Sequence, residues 1–151
     1  MARHNASIYG VLDRIEFIVG DYFSIIGSLR PDVVFLSPPW GGPEYLRQDS
    51  FDLTKMGGLD GERIFTEAAQ LTDNIAYFVP RNTDTGQLAK LAGPEGRVEI
   101  EQNLLNWKTK TITAYFGDLI IDADDDREKE TENGPGEDEM FETVDTEVFQ
   151  F

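Results

Sequence analysis

Three short runs rich in β-branched and aromatic residues, Ile15 to Asp21, Asp32 to Ser37 and Asn74 to Pro80, each end at or against glycine or proline. They predict buried parallel strands, because nearly continuous apolar runs belong to sheets covered on both faces. Between and after them lie helix-period patterns. One runs from Gly61 to Thr72, with Ile64, Phe65, Ala68 and Leu71 on one side; another runs from Asp84 to Ala92 and is stopped by Gly93 and Pro94. Parallel strands need long crossovers, so this alternation restricts the chain to an α/β architecture. The end differs: Arg97 to Asn106 and Thr109 to Ile120 are strand patterns separated by a tight connection around Trp107, which predicts an antiparallel hairpin.

Parallel strands closed by a terminal hairpin are similar to the second half of a class I methyltransferase, or Rossmann-like, fold. That likeness concerns fold alone, and function has to be argued from a site. A length of 151 residues suits one domain, and 40% hydrophobic content supports a core. There is no cysteine, so disulfides and thiolate zinc sites are excluded, and the single histidine, His4, does not favour a metal centre; no metal is expected. The short apolar runs predict a soluble chain without membrane association.

The formal charge of -16 is unevenly spread. Met1 to Ile121 carries 11 Lys and Arg against 16 Asp and Glu, whereas Asp122 to Phe151 carries 2 against 13. The body can therefore hold a local basic pocket for a polyanion. From Asp122 onward the chain offers too little apolar surface to offset its ordering entropy, which predicts an acidic disordered segment over 122–151. Its sparse Met140, Phe141, Val144, Val148 and Phe149 read either as filler or as a motif for a protein partner.

The stretch Val33 to Gly42, VVFLSPPWGG, raises the question of chemistry. In open α/β sheets ligands lie beyond the carboxyl ends of the strands, where Ser37–Pro38–Pro39–Trp40 is predicted to sit. Prolines have no N–H, so this turn presents carbonyl acceptors without competing donors. Such a turn suits a substrate that donates N–H, such as the exocyclic amino group of a nucleobase, whose nitrogen gains positive charge on attack. A following aromatic residue gives the base a face. Tryptophan is the strongest cation–π partner, so a cationic base such as 7-methylguanine would use it fully.

On the stretches VVFLSPPWGGPEY, YFVPRN and VEIEQNLLNWKTKTITAYFGDLI the chain resembles the trimethylguanosine synthases, the RNA cap guanosine-2-amino methyltransferase family, from Met1 to about Ile121. The resemblance implies hypermethylation of 7-methylguanosine-capped RNA with S-adenosylmethionine as donor, and a location in the nucleus, with the cytoplasm also open. It implies that Trp40 stacks on the methylated guanine, that Ser37 and Pro38 lie by the accepting amine and the cofactor, and that Tyr45, Arg81, Asn82 and Lys110 hold the cap. Asp21 corresponds to the acid that in this fold commonly accepts from the cofactor's adenine. Structural alternatives stand beside these roles. Trp40 could cap the sheet edge, Asn82 could cap a helix, Lys110 could be a solvated hairpin lysine and Asp21 could simply close a strand.

The family's Gly-rich cofactor loop and ribose-binding acid have no counterpart here, and MARHNASIYG reads as the helix that follows the fold's second strand. Residues 1–121 are thus expected to be a partial methyltransferase domain, without the first two strands. Those strands would separate Ile15 to Asp21 from Asp32 to Ser37, so both survivors are expected to lack an inner neighbour and to be poorly stable or rearranged. The competing functions are a noncatalytic cap-binding or interaction fragment and methylation of another nucleobase amine.

Overall fold

The computed structural model describes residues 1–121 and 146–150. Residues 122–145 and 151 lie outside the described residues, and with them most of the stretch expected to be disordered, including Met140, Phe141 and Val144. The helices are α1 (Ala2–Ile8), α2 (Tyr22–Ile25), α3 (Gly61–Ala69) and α4 (Thr85–Leu91). The strands are β1 (Val34–Leu36), β2 (Ile75–Pro80), β3 (Arg97–Leu105), β4 (Lys108–Tyr115) and β5 (Thr146–Gln150). They form one sheet in the order β1-β2-β4-β3-β5.

The α/β class and the partial class I arrangement hold. β1 runs parallel to β2 with Leu36 beside Tyr77, and β2 is antiparallel to β4 with Phe78 beside Thr113. β4 returns as a hairpin on β3. The strand expected over Ile15 to Asp21 does not form: this segment carries no regular structure, and Ile15, Ile18 and Val19 are exposed. Its apolar pattern is real, but a strand needs a hydrogen-bonded neighbour and no described residue pairs with it. Among the described strands only β1 and β2 pair in parallel. β5, by contrast, comes from the acidic segment and pairs with β3, placing Val148 beside Glu99.

The core forms because α3 and α4 lay apolar stripes on one face of the sheet. Ile64, Phe65 and Ala68 of α3 and Leu88 of α4 pack with Ile75, Tyr77 and Val79 of β2 and with Ile112 and Ala114 of β4. Each fully buried side chain of this kind contributes about 1.5–3 kcal/mol. Asp60 starts α3 by accepting from Arg63 N at 3.1 Å, and Asp84 starts α4 by accepting from Gly86 N at 2.9 Å. Period-two alternation turns Phe35 and Phe78 to the opposite face, where their rings are 6.2 Å apart and Phe35 stays exposed.

Tyr77 ties the layers together. Its hydroxyl is buried and donates to the Gly61 carbonyl at 3.1 Å, at the first turn of α3. A Cβ on Gly61 would meet Tyr77 Oη at 2.7 Å and the Leu53 carbonyl oxygen at 2.8 Å. Gly61→Ala is therefore expected to lower stability by about 1–3 kcal/mol through overpacking, although alanine normally favours a helix. The urea unfolding midpoint measures it; an unchanged or higher midpoint would refute the constraint.

Candidate functional site

β1 ends at the buried Leu36, and the chain leaves the sheet through Ser37, Pro38 and Pro39 to Trp40. The turn brings the half-buried Trp40 over Phe78 of β2, with ring centroids 5.4 Å apart and planes at 35°. Tyr45 meets the indole edge-on at 5.4 Å and 86°, and Phe51 meets Tyr45 edge-on at 6.2 Å. An aromatic run, Phe35–Phe78–Trp40–Tyr45–Phe51, thus crosses the carboxyl end of the parallel pair. Such edge-to-face pairs contribute about 0.5–1.5 kcal/mol each beyond burial.

The segment after Trp40 is pinned from below. Asn82 Nδ2 donates to the Tyr45 carbonyl at 3.0 Å and to the Gln48 carbonyl at 2.9 Å, while Phe51 N donates to the Asn82 carbonyl at 2.7 Å. Phe51 also bridges to Thr83. Asn82 is therefore not the cap of α4, a role that belongs to Asp84. Gly41 and Gly57 touch backbone to backbone, both at positive φ, and a Cβ on Gly57 would lie 2.5 Å from Gly41 Cα. Glycine is required for that approach. Among the described residues two buried side-chain polar atoms have no hydrogen-bond partner, Trp40 Nε1 and Asn82 Oδ1. Leaving such a group unpaired costs about 1–3 kcal/mol.

The cations sit on the same edge. Arg81 follows β2, is exposed, and donates through Nη1 to the Thr109 carbonyl at 3.2 Å, which binds it to the start of β4. Lys110 is also exposed on β4; alternation places it with Ile112 and Ala114, away from the Phe78 face. The structure thus joins Trp40, Tyr45 and Asn82 directly and holds Arg81 beside the hairpin, with Lys110 further out. Asp21 lies apart: it caps α2, its Oδ1 accepting from Ser24 N and Ser24 Oγ at 3.0 Å each. Among the described residues no cluster of three His, Cys, Asp or Glu could hold a metal, and no helix is long and apolar enough to cross a membrane.

Residues 1–119 match the family model described as RNA cap guanine-N2 methyltransferase. The chain belongs to this family. It is 35% identical over 122 residues to a trimethylguanosine synthase of Schizosaccharomyces pombe, an alignment covering 77% of this chain and 51% of that protein. It is also 33% identical over 127 residues to the trimethylguanosine synthase of Saccharomyces cerevisiae, covering 78% and 40%. The chain spans about half the length, or less, of these curated relatives.

Two features of this region were not legible in the sequence. Phe78, inside an apolar run, gave no sign of being the floor under Trp40. Asp52 and Gln87 lie 35 positions apart, yet Gln87 Nε2 donates to Asp52 Oδ1 at 3.0 Å and Gln87 Oε1 accepts from Leu53 N at 2.8 Å. The Gln87 amide, then the Thr54 hydroxyl and N–H, then Lys55 hold the Asp52 carboxyl well below its ordinary range. A depressed folded-state pKa gives stability that is present above the unfolded value, here about 3.8, and is lost as pH falls. The stability difference between wild type and Asp52→Asn is expected to be full at neutral pH and to shrink below about pH 4. Chemical denaturation across the acid range tests it, and a difference independent of pH would contradict it.

Proposed function

We propose that the protein acts in hypermethylation of RNA caps, transferring methyl groups to the exocyclic 2-amino nitrogen of 7-methylguanosine. The reading rests on one observation: an indole set on Phe78 and edged by Tyr45 directly follows a carbonyl-rich Ser37–Pro38–Pro39 turn at the carboxyl end of β1. A fixed aromatic plate recognises a cationic purine by stacking and cation–π attraction. The preceding carbonyls accept the amine's N–H groups as its nitrogen turns tetrahedral, and the surplus proton leaves to solvent. Positioning supplies most of the acceleration. Arg81 offers donors for the cap phosphates despite the negative total charge, while Lys110 faces away from the indole.

S-adenosylmethionine, the donor the family implies, supplies an electrophilic methyl group on a sulfonium. The described residues fit only part of it. Asp21 is the right kind of acceptor for an adenine amine, but one of its oxygens is committed to Ser24. Next to it lies a cavity of about 420 Å³ lined by Ile18, Tyr22, Ile25, Leu29, Val33 and Phe35, all of them apolar or aromatic and none ionised at neutral pH. That lining suits a purine and not a zwitterionic amino-acid end. This commitment of Asp21 supports a second reading, cap recognition without transfer by this chain alone.

Trp40→Ala is expected to weaken binding of 7-methylguanosine triphosphate about tenfold, about 1.4 kcal/mol. Binding of unmethylated GTP, which lacks the positive ring, is expected to be weak in both proteins. Isothermal titration of the four pairs decides it. Equal affinity of wild type for the two nucleotides would overturn the cap reading and leave another nucleobase amine as the substrate.

A further inference from the structure

The hairpin joining β3 and β4 turns through only two residues, Asn106 and Trp107, with φ of 53° and 63°. Positive φ at both central positions is the type I′ pattern, whose second position favours glycine because a side chain crowds the backbone there. Asparagine tolerates this conformation, whereas for a bulky residue it is a strained outlier. Nor does the strain secure burial. Trp107 is 76% exposed, and its neighbour Leu105 is 61% exposed. A strained, uncovered indole has no packing role, and strain held without a packing return points to a ligand.

The surroundings identify that ligand. Lys108 follows the indole directly, Lys110 comes two residues later, and both are exposed. Arg81 is bonded to the carbonyl of Thr109 between them. An aromatic plate flanked by cations is what a single-stranded nucleic acid binds, with bases on the ring and phosphates on the charges. The tip also continues the cap site. Trp40 lies on Phe78, which is paired with Thr113, and the five residue steps from Thr113 to Lys108 carry β4 about 17 Å outward. A triphosphate bridge and a nucleotide or two can cross that span.

We propose that Trp107 stacks on the first nucleotides of the RNA body that follow the cap, with Arg81 on the connecting phosphates and Lys108 and Lys110 beyond them, on the far side of the tip. This deepens the cap-modification reading and rests on it for the placing of the cap at Trp40. The site is insensitive to base identity, since stacking uses the π face common to all bases, and it separates capped RNA from free cap nucleotide.

Trp107→Gly removes the indole while placing in the turn the residue that fits it best, so the hairpin is expected to stay folded with an unchanged or higher melting temperature. Three probes are titrated: a short 7-methylguanosine-capped RNA with 2-aminopurine as its first transcribed base, 7-methylguanosine triphosphate alone, and the same RNA bearing a plain 5′-triphosphate. The substitution is expected to weaken the capped RNA about tenfold and to abolish the quenching of 2-aminopurine, leaving the free cap nucleotide unaffected. Unchanged affinity for the capped RNA overturns the proposal, including in favour of a protein-docking tip. An equal loss for the capped RNA and the free nucleotide overturns it as well, because the effect then lies at the cap. If wild type binds capped and uncapped RNA alike, the cap reading fails separately, and loss of uncapped binding in Trp107→Gly still decides whether the indole stacks on RNA.

Discussion

A parallel pairing only three residues long decides where everything else lies. Val34, Phe35 and Leu36 take Ile75, Ala76 and Tyr77 as partners, and that register puts the exit of β1 level with Phe78. A shift of one residue would turn Leu36 out of the core and Phe35 into it, since side chains alternate faces. The Ser37–Pro38–Pro39 turn would then lift Trp40 off its floor. Among the described residues β1 has this single ladder, so its position depends on β2, which is itself fixed by Tyr77 beneath α3 and by five paired residues of β4. The rigidity of the aromatic site is borrowed from the core through one strand.

The site also concentrates unpaired polar groups that the rest of the described fold avoids. Trp40 Nε1 and Asn82 Oδ1 are buried without partners, while Asn82 uses its other side-chain atom to hold the segment that carries Tyr45. Natural structures tolerate few such groups, and they gather where shape matters more than stability. Charge is arranged by the same logic. A chain at -16 retains Arg81, Lys108 and Lys110 on one exposed edge, where neither of the described ion pairs, Lys55 with Asp52 and Arg63 with Glu67, neutralises them. Local geometry, and not total charge, sets which partner that edge attracts.

Much of this was visible in the residues themselves. Apolar runs bounded by breakers located β1, β2, β3 and β4, and helix-period stripes located α3 and α4 to within a few positions. The prolines announced a turn of acceptors before Trp40. Ile15 to Asp21 misled because propensity describes what a strand would bury and says nothing about who pairs with it. β5 was hidden for the converse reason: a charged, sparsely apolar segment pairs with the open edge of β3, a partner 45 to 53 residues away.

Sequence by itself determined the α/β class, the carbonyl turn followed by an indole, and the family, because these reside in short contiguous patterns whose meaning is local. Tertiary structure decided that Phe78 is the floor of the site and that Asn82 clamps Tyr45. It also decided that Asp21 serves a helix and that the second tryptophan stands strained in solvent. Each of those depends on which distant backbone comes to lie alongside, and a pairing of that kind is chosen by the packing of the whole chain.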